Sequence, residues 1–418
     1  MTIVADLSGN GFGVELDRNN APGGEASDTL RGASYTGLLA NKCRSHFAFA
    51  AAQKQWGGRL RMRAMDDMAN FRVIWPNWYT QSSGEQSPGA NLTLTASVEY
   101  PAGTRTQITF SGSASGVAAP LTELTSDPIN VTIPRGAFFW LHIFGQSSAG
   151  MTYVGGSNIP FADHGSGDTF QYAPSGLTDK TMSGSYSVSD STGGFAFSPI
   201  AIIGPTRRPS FVIIGDSRAT GLGDKFGDAD RQRGQFERAI GPNFAFTNLS
   251  QPSESADTYN GSGGARRRAV AAAYAPIMLC NYGTNDLGSA ATATRLATLW
   301  AAAKAAAPGQ KIYQGTLSPI TTSTDSWATV ANQTVGVNET ERTTVNDAIR
   351  GRPTNLDGVI DVADVVETYR NSGKWLPALC SDGNYVFDGT HETSVACRAI
   401  AQSEVLRPNL FWRGQVIQ

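Results

Sequence analysis

Short runs of alternating hydrophobic and polar residues fill the first part of the chain. They are rich in β-branched and aromatic side chains, and Pro, Gly and Ser residues separate them. The runs are FRVIWPNWYT (71–80), NLTLTASVEY (91–100), TQITFSGSA (106–114), INVTIP (129–134) and FFWLHIF (138–144). A period of two is typical of strands with one buried face. Because no convincing long helix lies among these runs, the pattern predicts an all-β, sandwich-like domain.

The pattern changes after residue 210, where longer apolar runs alternate with helix-like segments. The apolar runs are SFVIIG (210–215), FAFTNL (244–249), PIMLCNYG (276–283), KIYQGTL (311–317) and GVIDVADVV (358–366). The helix-like segments are 265–274, 289–307, 338–350 and 393–405. This alternation predicts crossover connections and a five-stranded parallel sheet covered on both faces, which is an α/β domain of three layers.

A chain of 418 residues is long enough for two or three domains, and two is the preferred interpretation. The segment IGPTRRPS (203–210) combines prolines, a glycine and adjacent arginines, as domain boundaries do. We therefore expect a β-rich accessory domain over 1–205 and an α/β domain over 206–418. The Gly, Ser and Thr-rich stretch 145–198 fits ordered loops or short strands, with a linker as the alternative.

Composition narrows the functional classes. A net charge of −2 and a pI near 6.1 argue against nucleic acid as a partner, although Arg266–Arg268 form a local basic cluster. No run of 18 apolar residues occurs, so membrane insertion is not expected. The N-terminus shows neither a basic leader nor an apolar core. We expect a soluble protein that is cytoplasmic or, if a leader is absent from this sequence, exported or virion-associated.

The four cysteines suggest two different roles. Cys43 and Cys280 stand alone in apolar surroundings and are expected to be packing residues. Cys380 and Cys397 lie on either side of DGTHETSVA (388–396), so a disulfide and two free thiols both remain open. No Cys/His array has metal-ligand spacing, and we expect neither a metal nor a cofactor.

The carboxyl ends of the predicted parallel strands carry reactive side chains. In such sheets these ends form the ligand-binding edge. The first strand ends in Gly215-Asp216-Ser217, the second in Asn248-Leu249-Ser250 and the third in Gly283-Thr284-Asn285-Asp286, while Asp388-Gly389-Thr390-His391 follows near the C-terminus. A Gly-Asp-Ser tripeptide alone would fit a helix cap equally well. The joint occurrence of these groups favours catalysis.

Serine chemistry needs a base, because a hydroxyl is a weak nucleophile until its proton is removed. Of the four histidines, His46, His142 and His164 lie in the β-rich part, which leaves His391 as the base for Ser217. If His391 were dispensable, His164 would be the first alternative. Asp388 could orient the imidazole. Oxyanion donors could come from the Asn285 side chain and from backbone amides of Ser217 and a residue near Ser250.

The motifs GDS (215–217), GTND (283–286) and DGTH (388–391) resemble those of the SGNH/GDSL hydrolase superfamily, in the family's order. The resemblance covers about half of the chain. It implies a Ser217–His391–Asp388 triad and an oxyanion hole that includes Asn285. The segment NLSQPS departs from the pattern, because Ser250 stands where the family usually has glycine. Gly261, further along the same loop, is the less favoured substitute.

The expected activity is two-step ester hydrolysis that declines below a pH of about 6.5, the ordinary histidine pKa. A β-sandwich before such a domain resembles carbohydrate O-acetyl esterases, so the substrate is expected to be a small ester, foremost an acetylated glycan. The aromatic residues of IWPNWY (74–79), Trp327 and Trp375 could contact sugars or belong to the core. A lipase, thioesterase or arylesterase is the alternative. A glycan-binding or virion-type structural protein with a relic hydrolase domain also remains open.

Overall fold

The computed structural model describes residues 34–156, 159–189, 194–225, 232–377, 383–403 and 405–406. The N-terminal part is built from antiparallel strands, as the alternating runs predict. These strands are β1 (Tyr35–Leu38), β2 (Cys43–Arg44), β3 (Ala48–Ala50), β4 (Gln55–Arg63), β5 (Arg72–Pro76), β6 (Tyr79–Gln81), β7 (Gly84–Gln86), β8 (Leu92–Glu99), β9 (Arg105–Ile108), β10 (Ser115–Ala118), β11 (Glu123–Thr125), β12 (Phe138–Gln146), β13 (Met151–Tyr153), β14 (Thr169–Ala173) and β15 (Ala201–Thr206).

Two antiparallel sheets form the N-terminal sandwich. One has the strand order β1-β15-β5-β11, and the other has the order β10-β8-β12-β4-β14, with β9 paired to β8. Along β4, Leu60 and Met62 are buried in the common core, whereas the intervening Arg61 and Arg63 are half-buried on the outer face. This alternation is the period-two pattern expected of a sheet with one face against a core. The predicted strand INVTIP is reduced to single bridges at Ile129 and Ile133.

The C-terminal part contains a parallel sheet with the order β2-β17-β16-β18-β19-β22. Its remaining strands are β16 (Ser210–Ile214), β17 (Ala245–Asn248), β18 (Ile277–Cys280), β19 (Lys311–Gly315) and β22 (Gly358–Ile360), and a separate hairpin pairs β20 (Thr321–Ser323) with β21 (Gln333–Val335). The five predicted strands are therefore present. The sixth, β2, comes from the N-terminal half and pairs with β17.

Helices cover both faces of the parallel sheet. They are α1 (Ser217–Thr220), α2 (Gly234–Ile240), α3 (Ala256–Asn260), α4 (Ala265–Tyr274), α5 (Thr292–Ala306), α6 (Glu339–Arg350), α7 (Val362–Val366) and α8 (Ser394–Gln402). Val212 packs with α4, α5 and α6 on one face, and Phe211 packs with α2, α7 and α8 on the other. The predicted α/β class is confirmed. The prediction of a strand over 358–366 was wrong in its second half, because the strand ends at Ile360 and a helix follows.

The two halves share a continuous interface. One face of the four-stranded sheet contributes Val73 and Trp75 to the sandwich core, and the other face contributes Ile74 and Ile203 to the core that holds α4 and α5. The chain leaves the sandwich with β15 and enters the parallel sheet with β16. The division at residue 205 stays a prediction. No helix in the described part of the chain is long and apolar enough to cross a bilayer.

Candidate active site

Ser217 lies at the sharp turn between β16 and α1. Gly215 makes this turn possible, since a Cβ atom there would lie 2.7 Å from the Asn281 side-chain oxygen and 2.8 Å from the Ala219 Cβ. Asp216 caps α1 by accepting the Arg218 backbone N–H through Oδ1 at 3.0 Å. The turn thus fixes Ser217 as the first residue of the helix, with 8% of its surface exposed.

His391 contacts Ser217 across 174 residues of sequence. The distance from His391 Nε2 to Ser217 Oγ is 2.7 Å, and the distance from His391 Nδ1 to Asp388 Oδ2 is 2.8 Å. Because an ionised carboxylate only accepts hydrogen bonds, the neutral ring carries its proton on Nδ1. Nε2 is then the acceptor for the Ser217 hydroxyl. The structure brings together the three side chains that the sequence assigned to a triad.

A tight turn holds Asp388 and His391 in this arrangement. Asp388 Oδ1 accepts the backbone N–H groups of Thr390 at 3.0 Å and His391 at 2.9 Å. Gly389 has φ 91, and a Cβ atom there would lie 2.1 Å from the Thr321 carbonyl oxygen. Burial alone would raise the pKa of Asp388, but hydrogen bonds from His391 outweigh it and hold that pKa below its usual value. Asp388 therefore stays ionised at neutral pH.

The predicted oxyanion donors Asn285 and Ser250 follow β18 and β17, the two strands on either side of β16. Asn285 is exposed in the short 3-10 helix Thr284–Asp286, and its Nδ2 donates one N–H to the Glu254 carbonyl at 3.0 Å. A side-chain amide has a second N–H to offer. Ser250 is buried, and its backbone N–H donates to Asn248 Oδ1 at 3.1 Å. The Gly261 backbone N–H donates to the Asp257 carbonyl at the C-terminal end of α3.

In the loop after β17, the residue with a left-handed backbone is Ser253 and not Ser250. Ser253 is exposed and has φ 62, the left-handed conformation that favours glycine. Gln251, two residues earlier, donates its backbone N–H to the Gly215 carbonyl at 2.9 Å. This bond holds the loop beside the turn that carries Ser217. The sequence did not single out Ser253, because serine gives no signal for this conformation.

A buried ion pair that the sequence did not predict joins the segments that carry Ser217 and His391. Arg218, next to Ser217, lies 3.0 Å from Glu392, next to His391, and both side chains are almost fully buried. Glu392 also accepts a hydrogen bond from Gln235 at 2.8 Å, and Arg218 donates to the Pro319 carbonyl at 3.1 Å. The sequence signal for this pair was a charged residue directly after each motif, since Arg218 follows GDS and Glu392 follows DGTH.

The remaining histidines lie in the N-terminal half in contacts of their own. His46 Nδ1 lies 2.8 Å from the Thr152 hydroxyl, and His142 Nε2 contacts Glu99. Burial lowers the pKa of each to about 4. His164 Nδ1 lies 3.0 Å from the Asp168 carbonyl. None of these described contacts includes Ser217.

The aromatic residues proposed for sugar contact differ in burial, and Tyr79 is half-buried and stacks on Phe49. Trp75, Trp78 and Trp375 are fully buried, so they belong to the core. Trp327 is half-buried beside Gly389, and its Nε1 donates to the Thr321 hydroxyl at 2.8 Å. Phe387, next to Asp388, is 50% exposed. Trp327 and Phe387 therefore flank the turn that carries His391.

The described cysteines lie in the interior. Cys43, Cys280 and Cys397 are buried, and Cys380 lies outside the described residues, so a Cys380–Cys397 disulfide and two free thiols both remain open. Within the described ranges, no group of three or more His, Cys, Asp or Glu side chains could hold a metal ion.

Comparison with known proteins finds one family model that matches part of the chain. Residues 213–393 match the GDSL-like Lipase/Acylhydrolase family, and this range includes every motif residue named above. The predicted relation to the SGNH/GDSL hydrolases is confirmed, and the match supports an ester hydrolase. No curated protein matches the chain.

Several solved structures are similar at low identity. Est24, a carbohydrate acetylesterase from Sinorhizobium meliloti, is 15% identical over 47% of this chain and 97% of its own, with a TM-score of 0.33. A family two carbohydrate esterase from Clostridium thermocellum, in complex with cellohexaose, is 12% identical over 91% of this chain and 100% of its own, with a TM-score of 0.33. A family 2 carbohydrate esterase from Corynascus thermopiles is 13% identical over 89% and 97%, with a TM-score of 0.32.

Proposed function

We propose that this chain, a GDSL-like hydrolase over residues 213–393, is a serine esterase that removes short acyl groups, foremost acetyl, from a carbohydrate. The observation that carries the proposal is the continuous hydrogen-bonded chain from Ser217 through His391 to Asp388, with distances of 2.7 and 2.8 Å. Both distances lie in the range that proton transfer between a nucleophile and its base requires.

In the first step, Ser217 Oγ attacks the ester carbonyl while His391 Nε2 takes its proton. The imidazolium that forms is stabilised by the ionised Asp388 at Nδ1. Negative charge develops on the carbonyl oxygen, and three donors are proposed for it: the Ser217 N–H, the second N–H of the Asn285 side chain and the Ser253 N–H. His391 then gives its proton to the departing alcohol, and an acyl-enzyme remains.

In the second step, water replaces the alcohol. His391 takes a proton from the water, whose oxygen attacks the acyl carbonyl, and Ser217 leaves with the proton that His391 returns. The products are a carboxylic acid and the free enzyme. These two steps use only side chains and amides of this chain.

The proposed substrate class rests on the surroundings of the triad. Ser217 is almost buried, and the buried residues at the same strand ends include the polar Asp216, Asn281 and Ser250, which suits a short acyl group better than a long alkyl chain. Trp327 and the half-exposed Phe387 beside the His391 turn offer flat apolar faces for a sugar ring.

Active-site labelling tests the proposed nucleophile. A fluorophosphonate probe is expected to label the wild type, and Ser217→Ala and His391→Ala are expected to abolish or nearly abolish labelling. Ser262→Ala, which changes an exposed serine, is the matched control and should label like the wild type. Labelling that persists in Ser217→Ala would contradict the proposal.

The substrate is tested by a series of p-nitrophenyl esters with acetyl, butyryl and octanoyl chains, followed by acetate release from acetylated polysaccharides. We expect kcat/KM to be highest for acetyl and acetate to be released from at least one polysaccharide. A preference for octanoyl would instead indicate a lipase-type activity. Retention of a glycan with no turnover of any ester would indicate a binding protein.

A further inference from the structure

The hairpin formed by β6 and β7 extends from the N-terminal half to the loop that follows β17. The Thr80 hydroxyl of β6 donates to the Gln251 side-chain oxygen, and both residues are buried. Gln251 in turn donates its backbone N–H to the Gly215 carbonyl at 2.9 Å. Three residues therefore connect the hairpin to the turn that presents Ser217.

The other strand of the hairpin holds the start of α4. The Glu85 carboxylate accepts the backbone N–H groups of Arg266 and Arg267, each at 2.9 Å. These amides lie in the first turn of α4, where no carbonyl of the helix itself can pair with them. A carboxylate from the N-terminal half therefore satisfies helix donors in the hydrolase half, and it fixes the position of the helix end.

From α4 the contacts return to the same loop. Arg267 donates through both terminal nitrogens to the two oxygens of Glu254, each at 2.6 Å, and through Nε to Glu85 at 3.3 Å. Tyr282 also donates to the Glu254 carboxylate. The Glu254 carbonyl is the acceptor for the Asn285 side chain. The contacts thus run from the hairpin to Asn285, and Glu254 directly follows Ser253 in the sequence.

These charges are buried, which makes their geometry specific. The side chains of Glu85, Arg267 and Glu254 are 4%, 0% and 0% exposed. Fork-shaped pairing of arginine with carboxylate fixes both distance and orientation. Buried ion pairs contribute little net stability compared with apolar packing, and defining a unique arrangement is a role attested for them in some proteins. Glu254 held in this way fixes the loop that contains Ser253, and its carbonyl positions the Asn285 side chain.

We propose that the β6–β7 hairpin positions the oxyanion loop, so that the N-terminal half is part of the catalytic apparatus rather than an appended module. Glu85 and Thr80 are the positioning residues, and they act through Arg267 and Gln251. This inference rests on the proposed esterase function. It assigns a catalytic purpose to the β-rich half, whose role the sequence left open.

The test uses the full-length chain with p-nitrophenyl acetate. Glu85→Gln and Thr80→Val are each expected to lower kcat about 10- to 100-fold, because small displacements of catalytic donors are costly. KM should change by less than about twofold, since the donors act mainly in the transition state. The pH at which activity is half-maximal should stay unchanged, because neither residue contacts His391.

Two matched variants separate positioning from general damage. Thr80→Ser keeps the hydroxyl and is expected to retain near wild-type kcat. Glu123→Gln removes another acid of the same interface, one that lies 3.8 Å from Arg266 and has no described contact with Arg267. It is also expected to leave kcat near the wild-type value. Circular dichroism and thermal unfolding of each variant establish that it is folded.

A double variant tests whether Glu85 and Asn285 act through the same loop. Asn285→Ala alone should lower kcat about 10²- to 10³-fold as a missing donor. Combined with Glu85→Gln, it should lower kcat by clearly less than the product of the two single effects, because both act through the same loop.

Folded Glu85→Gln and Thr80→Val proteins with wild-type kcat, beside an active wild type, would overturn the inference and leave the esterase proposal standing. If Glu85→Gln is not folded, the milder Thr80→Val and Thr80→Ser pair decides. A wild type that hydrolyses no ester and binds no fluorophosphonate would overturn both proposals. Equal losses of kcat in Thr80→Val and Thr80→Ser would also overturn the positioning role.

Discussion

Asp216 is a buried carboxylate directly before the proposed nucleophile. Its Oδ1 caps α1, and no described group pairs with its Oδ2. Burial raises the pKa of Asp216 from 3.8 to about 7, against the lowering effect of Arg218. The folded protein therefore takes up a proton at this residue between about pH 4 and pH 7. The cost of burying the charged form is absent below pH 4 and complete above pH 7.

Replacing Asp216 by Asn should remove this cost while keeping the capping oxygen. We expect the stability of Asp216→Asn relative to the wild type to rise as the pH increases from 4 to 8, by up to about 4 kcal/mol. Urea unfolding at several pH values measures this difference. A difference that stays constant over this range, or falls with pH, would contradict the assignment.

A site residue could be predicted from the sequence where few residues of its type were available and its spacing to a partner was short. His391 is the only histidine after residue 164, and the interval from Asp388 is short enough for a single turn. The engagement of Ser250 by Asn248 and the left-handed conformation of Ser253 were not predictable. The sequence is compatible with an ordinary loop conformation at both serines. The packing of this loop against Gly215 and α4 determines which of them takes the left-handed conformation.

At the scale of elements, Arg218 and Glu392 join α1 to the segment before α8. Both side chains are almost fully buried, so loss of one charge leaves the other without its ion-pair partner. Glu392→Gln is expected to destabilise the protein by about 3 to 5 kcal/mol. It should also lower kcat about tenfold or more, because the pair holds the Ser217 and His391 segments together.

Thermal unfolding and p-nitrophenyl acetate kinetics measure both effects. Asp347→Asn is the control, since Asp347 pairs with Arg350 on an exposed part of α6 and its side chain is 62% exposed. Such a pair contributes little, so this variant should behave like the wild type. An unchanged unfolding temperature in Glu392→Gln would refute the proposed joining role.

Elements were predictable from periodicity, but their ends were not. The run 358–366 is continuously apolar apart from its acids, and a strand and a helix fit such a run equally well. Asn338 and Glu341 have the spacing of a capping box, yet Asn338 makes no side-chain cap and Glu341 accepts the Gly288 amide and the Thr292 hydroxyl. A neighbouring segment competed for the carboxylate, which sequence spacing cannot reveal.

The two halves of the molecule depend on each other through β2. Arg44 donates to the Thr220 carbonyl at 3.0 Å and pairs with the buried Glu237, directly beneath α1. A protein consisting of residues 206–418 would lose this strand and leave Glu237 buried without its arginine. It would also expose the apolar face that Ile74 and Ile203 now cover.

We therefore expect residues 206–418, expressed alone, to be insoluble or to lack cooperative unfolding, whereas the full chain is folded. Soluble yield, size-exclusion chromatography and thermal unfolding provide the measurement. A folded and active 206–418 protein would show that β2 and the interface are dispensable. A strand of two residues could not have been predicted, because Cys43–Arg44 is too short for any periodicity.

The pairing of β2 with β17 also bears on how the protein is made. Cys43 and its partner Thr247 are separated by more than 200 residues. During translation the sandwich strands leave the ribosome first, and Cys43–Arg44 stays without its strand partner until residues 245–248 follow. Contacts between such distant segments slow folding. Until this segment pairs with β17, it can associate with other incomplete chains.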